Sequence, residues 1–137
     1  MTTNTELNQL SKKLNIPNFR GVICRDEFNT LLPALENETG IYNFNDSSKP
    51  GSHWAAYCKQ GSNWYHFCSY GSDPCKELKE YANNKTGAAA QANILSHTYR
   101  LQEWDETNCG EWCILFCYLM SNTKLTYEDV ILFFFNT

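Results

Sequence analysis

The sequence predicts a single α+β domain over residues 1–137, built around a small, mainly antiparallel sheet. Three short aromatic and β-branched runs, GIYNF, HWAAYC and NWYHFC, follow one another between turn-forming clusters, as the strands of a β-meander do. Segments with helical periodicity lie before and after them. A chain of 137 residues can bury one core without disulfide or metal support.

The N-terminal segments predict one helix followed by extended chain. Leu7, Leu10 and Leu14 recur at helical spacing, and Pro17 is expected to end the helix. FRGVICRDEF is expected to begin extended, and DEFNTLLPAL to form a helical turn before Pro33. The KQGS cluster between the second and third runs suits a hairpin.

The C-terminal half predicts three helices and one further strand. KELKEYANN predicts a short helix, HTYRLQEW a strand, and AAAQANILSH no firm element. NCGEWCILFCYLM predicts a helix with Cys109, Cys113 and Cys117 on one face. Thr126 and Asp129 have the spacing of a capping box at the start of the last helix.

Composition and charge argue against several classes of function. The formal charge is −4 and no basic stripe is present, so strong nucleic-acid binding and activation by DNA are not expected. No apolar stretch approaches the ~20 residues that span a bilayer, so no membrane partner is expected. The first residues lack the pattern of a signal peptide, and the seven cysteines are expected to be reduced thiols in a cytosolic or nuclear setting. We expect a monomer.

Three residue types could carry chemistry. Cys109 would lie at a helix N-terminus, where the helix dipole lowers the pKa of a thiol, and Gly110 would let a substrate approach closely. His53, after a Gly-Ser turn, could be the general base for a thiol. Gln102, seven residues before Cys109, could donate to an oxyanion. Each has an ordinary alternative: a buried structural cysteine, a histidine satisfied by the backbone and a surface glutamine.

A zinc site is a competing interpretation of the cysteines. Cys109, Cys113 and Cys117 with His53 would make a Cys₃His set. The three cysteines, however, would span ~12 Å along one helix, and zinc needs every ligand within ~2.3 Å of one point. We therefore expect no metal and no other cofactor, and Cys113 and Cys117 should pack the helix as small apolar residues.

Taken together, these motifs resemble the adenovirus-type cysteine proteases, which include the maturation proteases of virophages and Polinton-like elements. The similar segments are NIPNFRGVICRDEF, ETGIYNFND, GSHWAAY, FCSYGSDPCKEL, the Gln-to-Cys spacing of seven and CGEWC, over roughly residues 5 to 120. The ubiquitin-like-protein peptidases are similar at a greater distance.

The resemblance implies an adenain-like peptidase domain with the nucleophile at a helix N-terminus. Cys109 would be that nucleophile and His53 its general base, later the acid that protonates the leaving amine. Gln102 and the backbone N–H of Cys109 would form the oxyanion hole, and the reaction would be peptide-bond hydrolysis through a thioester. Three further residues would border the substrate: Ser52, Trp54 and Gly110. For Trp54, a place in the core is the open alternative.

The resemblance also implies the biological setting. The substrates would be capsid or other virion proteins, processed in the host cytoplasm or nucleus at sites of viral assembly or within the virion. Two alternatives remain open at this point. One is a catalytically impaired domain of the same fold that binds a peptide, and the other is a peptidase acting on a ubiquitin-like modifier.

The departure from the family pattern is Cys68. The family has Asp or Glu there, which accepts a hydrogen bond from the catalytic histidine, and a neutral thiol cannot stabilise an imidazolium in the same way. Period-two alternation puts Trp64, His66 and Cys68 on one strand face, which the resemblance directs towards His53. A Cys–His dyad is favoured over replacement by Asp73 and over loss of activity.

Overall fold

The computed structural model describes residues 3–44, 53–86, 93–99 and 109–135. The helices and strands follow in chain order: α1 (Asn4–Lys13), β1 (Phe19–Cys24), a 3₁₀ helix (Arg25–Thr30), β2 (Asn37–Asn43), β3 (Trp54–Gln60), β4 (Asn63–Phe67), α2 (Lys76–Thr86), β5 (Ile94–Leu95), α3 (Cys109–Asn122) and α4 (Tyr127–Phe135). The chain is α+β, as the sequence predicts.

The five strands form one sheet in the order β1-β2-β3-β4-β5. The predicted meander is confirmed, because β2–β3 and β3–β4 are antiparallel pairs. The two outer pairs, β1–β2 and β4–β5, are parallel, so the sheet is mixed, where the sequence predicts a mainly antiparallel one. Parallel neighbours need a crossover rather than a tight turn. The 3₁₀ helix lies in the first crossover and α2 in the second.

Each face of the sheet carries its own hydrophobic cluster. On what we call the α3 face, Trp54, Ala56 and Cys58 of β3 pack with residues of α1, α3 and α4. On the opposite α2 face, Ala55 and Tyr57 pack with residues of α2 and the 3₁₀ helix. Because β3 is buried on both faces, its residues 54–58 form a continuous apolar run without polar alternation.

The predictions for the N-terminal half are largely confirmed. Leu7 of α1 is fully buried, and α1 ends at Lys13. The helix stops before Pro17 because Asn15 has φ 53°, a left-handed conformation that ends the helical hydrogen-bond pattern. The β3–β4 hairpin has the expected short turn, in which Gly61 has φ 61°.

In the C-terminal half, the helix predictions are confirmed but the strand prediction is wrong for the residues described. His97–Tyr99 is irregular, and 100–104 lie outside the described residues. The strand β5 is instead Ile94–Leu95, within the stretch that predicts no firm element. A strand of two residues carries no periodicity that a sequence pattern could show.

Two local predictions about the last helices are also confirmed. Cys113 and Cys117 are fully buried on the α3 face, where they pack as small apolar residues. At the start of α4, Thr126 N–H donates to Asp129 Oδ2 and Asp129 N–H donates to Thr126 Oγ1, each over 3.1 Å. These reciprocal bonds are the predicted capping box.

All seven cysteines lie in the described residues, and none of them is in a disulfide. Among the helices described, none combines the length and the apolar character needed to cross a membrane.

Candidate active site

His53 lies immediately before β3, next to the end of β4. Its carbonyl oxygen accepts a hydrogen bond from Phe44 N–H over 3.0 Å, which continues the β2–β3 ladder by one pair. Cys68 directly follows β4 and packs on the α2 face. The His53 Nε2 and Cys68 Sγ atoms are 3.2 Å apart. Cys68 therefore faces His53, as strand alternation and the resemblance predict.

The Cys68 side chain is fully buried in a turn that is rich in donors. Burial raises the pKa of its thiol, while N–H groups of Tyr70, Gly71 and Ser72 and the Ser72 side chain lower it by less. Its own N–H donates to His97 Nε2 over 3.2 Å. Cys68 is therefore a neutral thiol at pH 7, held among donors that would suit an anion.

The imidazole of His53 lies between two aromatic rings. The Tyr70 ring centroid is 3.7 Å away at an interplanar angle of 11°, and the Phe44 centroid is 4.9 Å away at 16°. Burial lowers the pKa of His53 to about 4, so the ring is neutral at pH 7. Its Nδ1 is buried and has no hydrogen-bond partner in the described part of the chain.

Cys109 is the first residue of α3 and is only 1% exposed. The backbone N–H of Trp54, the residue that follows His53, lowers the pKa of the Cys109 thiol, but burial raises it by more. The expectation that a helix N-terminus lowers this pKa is therefore wrong, because desolvation of the thiolate outweighs the backbone donors.

Two of the predicted substrate-binding residues have packing roles. Trp54 is 3% exposed on the α3 face, and its indole Nε1 donates to Asn4 Oδ1 of α1 over 2.9 Å. This is the core position that the sequence left open. A Cβ on Gly110 would lie 3.0 Å from Leu7 Cδ1, so the glycine lets α1 approach α3. On that side the space is filled by Leu7, and the expected contact of Gly110 with a substrate stays a prediction.

Of the remaining predicted residues, two lie outside the described part of the chain and one lies on the surface. Gln102 and Ser52 lie outside the described residues. Gln102 is the side-chain donor of the predicted oxyanion hole, so that part of the prediction also lies outside them. Asp73 is exposed, and in the described part of the chain no carboxylate bonds to the His53 ring. Within those residues, no group of three or more metal-ligating side chains is positioned to hold a metal ion.

Sequence reasoning missed three residues that contact this cluster. Phe44 and Tyr70 stack on His53, and His97 accepts the hydrogen bond from Cys68 N–H. Tyr70 could have been found, because it follows Cys68 by two residues at the turn before Gly71. Phe44 and His97 carry no such signal, since only the sheet register and the close packing of 97–99 bring them here.

At neutral pH the Cys109 thiol and the His53 imidazole are both uncharged. A thiol is a nucleophile only when its proton leaves, and a neutral imidazole nitrogen is a suitable acceptor.

No protein-family model matches this chain, and no curated protein matches it significantly.

Proposed function

We propose that this chain is a cysteine endopeptidase that works through a Cys109–His53 dyad. The observation that supports it most is the state of the His53 ring. Its Nε2 contacts Cys68 Sγ, and its Nδ1 is buried without a partner among the described residues. The backbone N–H of Trp54, the next residue, lowers the pKa of the Cys109 thiol. A buried, unpartnered ring nitrogen costs free energy unless it has a use, and accepting a thiol proton is such a use.

The reaction proceeds in two halves. The sulfur of Cys109 attacks the scissile carbonyl carbon while its proton passes to His53 Nδ1, giving a tetrahedral oxyanion. Collapse of the oxyanion breaks the C–N bond, and the imidazolium returns the proton to the leaving amine. Water then attacks the thioester, with His53 again accepting a proton, and the Cys109 thiol and a carboxylic acid are released.

The resting dyad is neutral rather than an ion pair. Burial raises the pKa of Cys109 and lowers that of His53 to about 4, so both shifts oppose formation of thiolate and imidazolium. Proton transfer therefore accompanies nucleophilic attack instead of preceding it. An intrinsically nucleophilic thiol tolerates the absence of a third acidic member better than a serine hydroxyl does.

The proposed substrates are capsid or other virion proteins, which follows from the resemblance to adenovirus-type proteases. The proposed setting is the host cytoplasm or nucleus where virions assemble. The acidic composition leads us to propose that DNA is not an activator. A ubiquitin-like modifier remains the substrate of the alternative peptidase, and a modifier-cleavage assay beside a capsid-peptide assay separates the two.

A second candidate function is supported by the burial of the nucleophile. Because Cys109 is 1% exposed and its pKa is raised, the same domain could bind a peptide without cleaving it. The two functions differ in one chemical property. Only the peptidase requires that the reactivity of Cys109 depend on His53.

That dependence is measurable with a small neutral electrophile such as iodoacetamide, with each modified cysteine located by mass spectrometry. We expect His53→Ala to reduce the labelling of Cys109. The labelling of Cys24, a partly exposed cysteine outside the cluster, should not change and serves as the internal standard. Cleavage of capsid-derived peptides by the wild-type protein, abolished in Cys109→Ala, completes the test. Labelling of Cys109 that does not change in His53→Ala would favour the peptide-binding alternative.

A further inference from the structure

The His53 ring is held by stacking as well as by hydrogen bonding. Tyr70 and Phe44 lie nearly parallel to it, at centroid distances of 3.7 and 4.9 Å. Two rings cannot share one face of an imidazole at these distances, so they lie on opposite faces. Both are packed against the cluster of the α2 face that contains Cys68. The ring plane of His53 is thus fixed without help from a carboxylate.

A carboxylate beside a catalytic histidine has two roles that a thiol fills poorly. It accepts a hydrogen bond, so it fixes the proton on the nitrogen that faces it, and it stabilises the imidazolium during the reaction. A neutral thiol can donate or accept, so the Cys68 contact is compatible with either tautomer of His53. It also brings no negative charge.

We propose that Phe44 and Tyr70 form an aromatic clamp that orients His53 and stabilises its imidazolium in place of the missing acid. The inference rests on the proposed function, since it concerns the same dyad. Both rings are positioning residues: they orient the imidazole, and their π faces stabilise the imidazolium that forms when Cys109 gives up its proton. A cation over an aromatic face within about 6 Å of the centroid is stabilised, more so where water is excluded.

The clamp explains two features of the site together. The stacked rings remove water from the faces of His53, which lowers its pKa in the resting state. The same rings offer electron-rich faces to the transient imidazolium, which limits the cost of that desolvation. Aliphatic side chains of similar size would exclude water equally but would offer no such faces.

The matched variants are Tyr70→Leu, which keeps apolar volume without a π face, and Tyr70→Phe, which keeps the ring without the hydroxyl. We expect Tyr70→Leu to lower the His53-dependent alkylation rate of Cys109 by about tenfold, and Tyr70→Phe to restore most of it. Phe133→Leu is the control: it also removes an aromatic ring, but from an exposed position on α4, and it should not change the alkylation rate. Equal rates in Tyr70→Leu and Tyr70→Phe would overturn the proposal.

A double-mutant cycle separates this role from a purely structural one. In a Cys68→Asp background the carboxylate supplies orientation and charge, so Tyr70→Leu should cost much less than in the wild-type background. An equal cost in both backgrounds would mean that Tyr70 only supports the fold. If Cys68→Asp does not fold, ¹⁵N NMR of His53 in the single variants replaces the cycle. We then expect the pKa of His53, titrated by NMR, to be lower in Tyr70→Leu than in Tyr70→Phe, because only the ring stabilises the imidazolium, and equal pKa values in both would overturn the clamp.

The cycle measures alkylation of Cys109 and not peptide cleavage. Different results would therefore contradict the clamp and the proposed function. If His53→Ala leaves the alkylation of Cys109 unchanged, the dyad itself is wrong and the clamp with it. If alkylation depends on His53 but not on the ring at position 70, the dyad stands and the clamp is wrong.

Discussion

At the residue scale, Cys68 determines how His53 can act. Its sulfur occupies the place from which an acid would hold the imidazole, 3.2 Å from Nε2, but it carries no charge at pH 7. His53 then has no anionic partner among the described residues, and burial lowers its pKa. The consequences are measurable at Cys109 and at Cys68.

The first prediction concerns the pH dependence of Cys109. Because its pKa is raised and His53 is neutral above pH of about 4, no thiolate–imidazolium pair should form near neutrality. Because the neutral pair is then the reacting form throughout, the alkylation rate of the wild-type protein should stay nearly constant between roughly pH 6 and 8.5. In His53→Ala it should instead climb about tenfold per pH unit, following the thiolate fraction. Mass-spectrometric rate measurement at each pH, with Cys24 followed in the same samples, tests this. A wild-type rate that climbs tenfold per pH unit, as in His53→Ala, would show that free thiolate reacts without the base and would contradict the prediction.

The second prediction concerns Cys68→Asp. The N–H groups of Tyr70, Gly71 and Ser72 that lower the pKa of the thiol should also stabilise a carboxylate. The new charge should raise the pKa of His53 from about 4 and increase kcat/KM. NMR titration of His53, peptide-cleavage rates and the Tm are the measurements.

Cys68→Asn is the matched control for that substitution, because it has nearly the same shape without the charge. It should leave the pKa of His53 low and bring no gain in rate. A lower Tm in Cys68→Asp with no change at His53 would show that apolar packing, and not the donor-rich turn, dominates the position.

At the scale of elements, the turn after β4 is packed tightly against 97–99. Gly71 has φ 71°, and a Cβ there would lie 2.7 Å from the carbonyl oxygens of Thr98 and Tyr99. His97 in the same segment accepts the Cys68 N–H bond. The short stretch 97–99 therefore supports the turn that carries Cys68 and Tyr70, although it forms no regular secondary structure.

The third prediction follows from this contact. Gly71→Ala should lower the free energy of unfolding by about 2–4 kcal/mol, because it adds a steric clash with backbone to the cost of a positive φ. Gly61→Ala is the control: its φ is 61°, but the added Cβ would meet only Glu36 Oε1 at 3.8 Å. Chemical denaturation of both variants measures the difference. Equal losses would show that the contact with 97–99 contributes nothing.

Some helices and strands could be predicted from the local sequence, and some strand pairings could not. Helices α1 and α4 were predictable from apolar spacing and a capping box, and the meander from three apolar runs with turn clusters between them. The parallel pairing of β1 with β2 and of β5 with β4 was not predictable. It depends on where the crossovers return to the sheet, which local periodicity does not determine.

At the scale of the whole molecule, two buried histidines and the partly buried His53 link stability to pH. Burial lowers the pKa of His53 to about 4, of His66 to about 3 and of His97 to about 4. Unfolding returns each to its usual value of 6.5. Between these values the unfolded chain binds protons that the folded chain does not, so acid favours unfolding.

The fourth prediction is that stability is full above about pH 6.5 and falls as the pH drops towards 4. The slope should reach about 1.4 kcal/mol per pH unit for each histidine. Urea denaturation across this range gives the slope. His97→Gln is the matched variant, because the amide oxygen can still accept the Cys68 N–H bond without titrating. It should reduce the slope by close to one proton, and an unchanged slope would exclude His97 from the linkage.

The sequence by itself determined the fold class, the meander, the helices and the candidates His53, Cys68 and Cys109, because periodicity, turn chemistry and motif spacing are local properties of the chain. The tertiary structure alone decided that Cys68 contacts His53, that two aromatic rings flank His53, and that Leu7 and Asn4 of α1 pack on Gly110 and Trp54. It also reversed the expected pKa shift of Cys109, because desolvation depends on which side chains surround a group, and that is set by packing between distant segments.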